Sequence, residues 1–239
     1  MIRLVLVALI IFLYLILTIP MMLYLKCTNE KHKDRNDRIA SRMVRWVFKV
    51  ILAATGSTIT VTGKENIPHE PVLYVGNHRS YFDVVTGYAC IDDCCGFVAK
   101  KEMEKIPLLS SWMLLISCLF LDRKDVKQGL KTILAAIDQV KNGTSVWIFP
   151  EGTRNKGEEL MEFKEGSMKV AEKSGCAIIP VAFKGTDDVF EKHTPWIHPS
   201  HIQVQFGEPI YPKQLSREDK KFLGASVRNR IQGMLDTME

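Results

Sequence analysis

The apolar positions of this chain change period twice, and each change marks a structural boundary. Leu4 to Leu25 is an uncharged, almost wholly apolar stretch of 22 residues, and about 20 apolar residues span the hydrocarbon core of a bilayer. The run reads as a transmembrane helix. Pro20 can kink or end a helix, which leaves open a helix that inserts without crossing. A cleaved signal peptide fits less well, because the run is too long and Lys26-Cys27-Thr28 offers no small-residue cleavage site. Next, Arg35, Arg38, Arg42, Arg45 and Lys49 recur at steps of three and four, with Ile39, Met43, Trp46, Val47, Val50 and Ile51 on another face. That period predicts a basic amphipathic helix lying on a membrane surface, or alternatively packing on the domain with a solvated basic face.

From Ser57 onward, short apolar runs alternate with helical patterns. Strands are predicted at 58–61, 72–75, 96–99, 117–121, 146–149, 178–183 and 202–206, and helices at 81–89, 107–116, 126–141, 164–173 and 216–238. Continuously apolar strands alternating with helices imply an α/β domain, a largely parallel sheet flanked by helices. Pro180 inside a strand-like run predicts an edge strand or a bulge. The expected organisation is 1–25 as a transmembrane or membrane-inserted helix, 26–56 as a basic surface segment, and 57–239 as the α/β domain.

Composition changes this picture only in its distribution of charge. The chain is 46% hydrophobic and 25% charged, with a net charge of +5. Residues 26–49 hold eight basic side chains against Glu30, Asp34 and Asp37, so this stretch accounts for the whole excess. A basic patch attracts nucleic acid or anionic lipid, and its place beside an apolar run favours lipid. The same asymmetry sets 26–239 on the cytoplasmic side by the positive-inside rule, at the cell membrane of a bacterium or the endoplasmic reticulum of a eukaryote. Cys27, Cys90, Cys94, Cys95, Cys118 and Cys176 lack disulfide or zinc spacing and read as thiols in a reducing compartment. No metal site, Walker A segment or Gly-x-Ser-x-Gly elbow is present in the sequence.

Candidate chemistry gathers just after the predicted strands. His78 and Asp83 follow Val72-Leu73-Tyr74-Val75 at a spacing that does not stack side chains on one helical face. A strand-loop-helix arrangement fits, with Asp83 fixing one ring nitrogen and the other left to take a proton. Glu151-Gly152-Thr153-Arg154 follows the strand ending at Phe149; Gly152 permits close backbone approach, and Arg154 offers a fork matched to phosphate. Arg123 follows a third strand and points to the same crevice, since ligands of open α/β sheets collect beyond the carboxyl ends of strands. His32, His69, His193, His198 and His201 have no comparable context.

These blocks, in this order, resemble the glycerolipid acyltransferases, and among them the 1-acylglycerol-3-phosphate acyltransferases. Asn77-His78-Arg79-Ser80-Tyr81-Phe82-Asp83 resembles the catalytic His-x4-Asp block, Phe120-Leu121-Asp122-Arg123 the second, Phe149-Pro150-Glu151-Gly152-Thr153-Arg154 the third and Ile179-Pro180-Val181 the fourth. Phe163-Lys164-Glu165-Gly166 is similar to the element after the third. One departure is the glycine often found ahead of the second block, where Ser117-Cys118 stands. The resemblance implies acyl transfer from acyl-CoA or acyl carrier protein to lysophosphatidate, without a cofactor. It implies His78 and Asp83 as the catalytic pair, Arg123 and Arg154 on the acceptor phosphate, and Glu151 positioning the loop or the glycerol. Backbone donors near Gly152 are then oxyanion candidates, and the fourth block shapes the acyl or acceptor pocket.

Overall fold

The computed structural model describes residues 1–157 and 159–238. Helix α1 (Ile2–Leu17) is followed after one residue by α2 (Ile19–Thr55). Then come β1 (Thr58–Thr62), β2 (Leu73–Gly76), α3 (Tyr81–Cys90), β3 (Cys95–Lys100), α4 (Leu109–Leu115), β4 (Leu119–Leu121), α5 (Val126–Lys141) and β5 (Ser145–Ile148). The chain continues through α6 (Lys169–Ser174), β6 (Ile178–Lys184), β7 (His201–Phe206), α7 (Arg217–Lys221) and α8 (Leu223–Thr237). Every predicted strand is present, within a residue or two of its expected bounds.

The strands form one seven-stranded sheet in the order β1-β7-β6-β2-β5-β3-β4. All neighbours are parallel except β6 and β7, so β7 and β1 run opposite to the other five. Every residue of β2 and β5 is buried. Strands covered by helices on both faces have no solvated side, which is why their sequences, Ser145 at the start of β5 apart, are apolar without alternation. One core cluster joins α2, α3 and α4 to the sheet through Tyr74, Trp147 and Phe183. The other packs α5, α6 and α8 on the opposite face through Leu73, Val146 and Ile178.

Pro180 lies in an interior strand, not at an edge. The bulge reading explains it: Ile178 faces Ile210 but Val181 faces Phe206. Three steps on β6 are thus matched by four on its partner, and the offset falls where proline lacks a donor. Ser117 has φ 59, a left-handed conformation. The serine that replaces the glycine ahead of the second block therefore keeps a glycine's backbone conformation.

The amino-terminal apolar run is not one helix. It breaks at Thr18, and the helices on either side are bent by 50°. No single helix among the described residues is long and apolar enough to cross a membrane; α1 and α2 pass on length and composition only as a bent pair. Thr18 accepts a hydrogen bond from Trp112 Nε1 at 3.2 Å, fixing the break against α4. Helix α2 is itself interrupted at His32 (φ -140, ψ 40). Asn36 clasps that interruption from inside, donating to Leu25 O and Thr28 Oγ1, both at 3.0 Å. The chain doubles back, so the Arg3 side chain lies beside Gly56. On the returning arm, Val47 and Ile51 are buried and Arg35, Arg38, Arg42 and Lys49 are exposed. Arg45 leaves that basic stripe: it donates to Asp93 O at 2.9 Å and lies 5.8 Å from the Tyr88 ring. Trp46 is 63% exposed, away from the buried Val47 and Ile51.

Candidate active site

Strands β2, β5, β3, β4 and β6 are parallel, so the loops carrying His78, Glu151, Lys101, Arg123 and Thr186 all leave from one edge of the sheet. Asn77 anchors the first loop. Its Nδ2 donates to Phe183 O at 3.0 Å and its Oδ1 accepts from Phe183 N at 2.8 Å, in place of a further rung between β2 and β6.

His78 comes next, and its surroundings leave it little freedom. Nδ1 lies 2.9 Å from Asp83 Oδ2. A carboxylate only accepts, so Nδ1 carries a proton, and in the neutral ring Nε2 presents a lone pair. Asp83 is fully buried and anchored by four donors: His78 Nδ1, the Arg79 and Ser80 amides at 2.7 Å each, and Thr186 Oγ1 at 2.6 Å. The two amides belong to the amino terminus of α3, where Ser80 caps the helix and Asp83 completes a capping box. The imidazole stacks on Phe149, with ring centroids 4.3 Å apart.

Glu151 holds the histidine's backbone. Oε1 accepts from His78 N at 2.6 Å and Oε2 from Met161 N at 3.3 Å, while Asn155 N donates to His78 O at 2.7 Å. Burial pushes the Glu151 carboxyl above its ordinary value, opposed by those two amide bonds. Its observed contacts are with the loop backbone. Gly152 sits at φ 74 and packs against the Lys164 side chain, and its own N–H is taken by Phe149 O at 3.1 Å. That amide faces the turn, so the Gly152 N–H itself is not a free oxyanion donor.

Arg154 is also held. Nη1 donates to Glu191 Oε1 at 2.9 Å, Nη2 to Tyr81 Oη at 3.1 Å, and the guanidinium carbon lies 3.7 Å from the Tyr81 ring centroid. Together with exposed Thr153, these groups line a pocket of 610 Å³ whose charged members include Arg79, Lys156, Asp187 and Lys192. Arg79 pairs with Asp187 at 3.1 Å, and Lys192 bridges Asp187 and Asp188 at 3.3 and 2.9 Å. A shallower basic depression of 340 Å³ lies apart on α2, between Arg35, Arg38, Ile39 and Arg42.

The structure thus gathers His78, Asp83, Glu151, Gly152, Thr153 and Arg154 through the bonds of the two loops; Thr153 and Arg154 line the 610 Å³ pocket, and His78 stands next to its Arg79 in the chain. It does not bring Arg123 into the group. Arg123 is exposed after the edge strand β4 and does not line the 610 Å³ pocket. Its strand, β4, is separated from β5 by β3. The fourth block does not line the pocket either: Ile179, Pro180 and Val181 are buried within β6. The pocket's third wall comes instead from residues just after that strand, notably Asp187, Glu191 and Lys192. Sequence reasoning missed them, although Gly185-Thr186-Asp187-Asp188 is a polar cluster after a strand, the signal that located the other loops.

Comparison with known proteins agrees with this geometry. A family model described as Acyltransferase matches residues 58–184. A 1-acyl-sn-glycerol-3-phosphate acyltransferase of Borreliella burgdorferi is 31% identical over 205 residues, covering 84% of this chain and 81% of that one. The 1-acyl-sn-glycerol-3-phosphate acyltransferase of Saccharomyces cerevisiae is 28% identical over 204 residues, covering 84% and 65%. Among solved structures, the 1-acyl-sn-glycerophosphate (LPA) acyltransferase of Thermotoga maritima has the same fold, with a TM-score of 0.82 at 23% identity over 99% of this chain and 96% of that one. With more than half its length matched and its polar loops assembled on one sheet edge, the chain belongs to the acyltransferase family.

Proposed function

We propose that this chain is a 1-acylglycerol-3-phosphate O-acyltransferase that uses acyl-CoA or acyl carrier protein as donor and releases phosphatidate. The observation that carries the reading is the His78–Asp83 pair, its Nε2 without a hydrogen-bond partner among the described residues, beside the basic pocket of Arg154. The acceptor's 2-hydroxyl oxygen attacks the thioester carbonyl carbon as its proton passes to Nε2. Carbonyl electrons move onto oxygen, where backbone amides of the loop after Gly152 stabilise them. Collapse of the tetrahedral species breaks the carbon–sulfur bond, and the imidazolium returns the proton to the leaving thiolate. Asp83 stabilises the imidazolium without itself taking the proton.

Arg154 grips the acceptor phosphate through its planar fork. Arg123, farther along the same edge, adds a longer-range positive charge. Glu151 fixes the His78 loop, and Thr153 adds a polar side chain to the pocket wall.

The enzyme works at a membrane surface, on the cytoplasmic face. Support comes from α1, on which Ile2, Val5, Leu9, Phe12 and Leu17 are between 48% and 81% exposed, with the exposed arginines of α2 nearby in the hairpin. An apolar helix face flanked by basic residues inserts among headgroups and is attracted by anionic lipid. The test of activity is purified protein with labelled acyl-CoA or acyl carrier protein and a panel of lysophosphatidate, glycerol 3-phosphate, a lysophospholipid and monoacylglycerol. Labelled phosphatidate is expected. Label carried mainly by glycerol 3-phosphate or a lysophospholipid would reassign the acceptor, and free fatty acid alone would make the protein a hydrolase.

A further inference from the structure

The amino terminus of α3 binds two carboxylates. One is Asp83, taken by the Arg79 and Ser80 amides at 2.7 Å, which orients His78. The other is Glu191, more than a hundred residues away in sequence, in a short 3₁₀ turn at Glu191–His193 after β6. Its Oε2 accepts from Ser80 Oγ at 2.6 Å, and its Oε1 accepts both from the Tyr81 amide at 2.9 Å and from Arg154 Nη1 at 2.9 Å. Resting on the proposed function, we propose that Glu191 is a positioning residue for the acceptor site: anchored on α3, it sets the orientation of Arg154 so that the fork meets the acceptor's phosphate already aligned.

Arginine has five N–H donors. Glu191 and Tyr81 Oη take one each, and the Tyr81 ring supports the guanidinium plane from below. Three donors then remain for a ligand, on a group that can no longer swing. Preorganisation of this kind raises affinity by removing the entropy of ordering a long side chain. A carboxylate so close to a phosphate would ordinarily repel it. Here the charge of Glu191 is met by the helix end, by the Ser80 hydroxyl and by Arg154 itself, while Lys156 adds positive charge to the pocket wall. Ser80 and Tyr81 tie both devices to one helix turn, so the base and the phosphate fork share a common reference.

The decisive experiment is a double-mutant cycle read by binding, without donor or turnover. Equilibrium dissociation constants for lysophosphatidate, below its critical micelle concentration, are measured for the full-length protein, Glu191→Gln, Arg154→Ala and the double variant. Thermal unfolding is followed on each. In Glu191→Gln the amide oxygen can still face the Tyr81 and Arg154 donors while the Ser80 hydroxyl turns to accept, but the charge that holds the guanidinium is lost, so the substitution is expected to weaken binding about tenfold. In the Arg154→Ala background the same substitution is expected to change affinity less than twofold, because Glu191 acts through Arg154. Equal loss in both backgrounds would overturn the inference, as would unaltered affinity of Glu191→Gln or an unfolded variant whose conservative replacement Glu191→Asp binds no better. Full-length protein that does not bind lysophosphatidate also overturns it. Protein that binds with the expected coupling yet transfers no acyl group would sink the proposed activity alone.

Discussion

The two carboxylate-anchored pairs at the sheet edge are built to different standards. In His78–Asp83 the side chains are 15% and 0% exposed, and the carboxylate is saturated with four donors. In Arg154–Glu191 they are 35% and 20% exposed, and the cation keeps donors in hand. In the proposed reaction the first pair holds one ring in one tautomer through a proton transfer, so rigidity is the whole of its task. The second, as proposed, accepts a ligand that arrives and leaves; it stays open to solvent, where its Coulomb attraction is screened. The proposed sites for chemistry and for recognition thus share one helix end with different exposure to water.

The comparison breaks most sharply at the base. His78→Ala is expected to lower kcat by about 10² to 10⁴ with the fold intact, since the histidine side chain itself satisfies only Asp83. Turnover within tenfold of the unmodified protein, in a preparation whose melting is unaltered, would remove His78 from the chemistry. Asp83 separates two contributions. In Asp83→Asn the amide oxygen can still face the His78, Arg79 and Ser80 donors while the Thr186 hydroxyl turns to accept. The expected outcome is a catalytic loss close to that of His78→Ala, with little change in denaturant midpoint. Asp83→Ala strands buried donors and should lower unfolding stability by at least about 1–3 kcal/mol. Equal stability of the two variants in urea would mean that water replaces the carboxylate and that the site is wetter than the burial of Asp83 implies.

Smaller effects are expected at the open pair. Arg154→Ala should lower kcat/KM for lysophosphatidate by about ten- to a hundredfold, consistent with one charge-assisted hydrogen bond, and should affect monoacylglycerol far less. Arg154→Lys restores part of this, since the charge survives but the fork is lost. Identical losses on both acceptors would place Arg154 in the fold or at the donor. Arg123→Ala, remote from the pocket, should show the same preference for phosphate acceptors at a lower magnitude.

The mildest perturbation is salt. Raising ionic strength from about 0.01 to 0.15 M shortens the screening length from about 30 to 8 Å. The KM for lysophosphatidate should therefore rise, while the kcat measured at saturation stays within about twofold. A kcat that falls in parallel would show that the buried pair also feels the solvent.

Much of this molecule could be read without coordinates, and the reason is local. Strands β2 and β5 announce themselves because both faces are covered and every side chain but that of Ser145, at the start of β5, is apolar. Helix α5 is bounded as expected at Val126 and Lys141, where Asp125 caps its start. The His78–Asp83 pair could be anticipated because one strand-loop-helix turn contains both residues. The break in the amino-terminal helix was visible only in part. Pro20 marked its neighbourhood, but the stop at Thr18 and the reversal at His32 rest on Trp112 and on the clasp of Asn36.

What the sequence by itself determined was the set of strands and helices, the loops carrying His78, Glu151 and Arg154, and the apolar amino terminus beside a basic arm. Only the tertiary structure decided that β6 lies beside β2, which sets Thr186 on Asp83 and Glu191 on α3, and that β3 separates Arg123 from the Glu151 loop. The physical reason is that hydrophobic period and turn chemistry act within a few residues, whereas strand order is chosen by the packing of whole layers. A carboxylate more than a hundred residues away carries no local mark of the helix end it will meet.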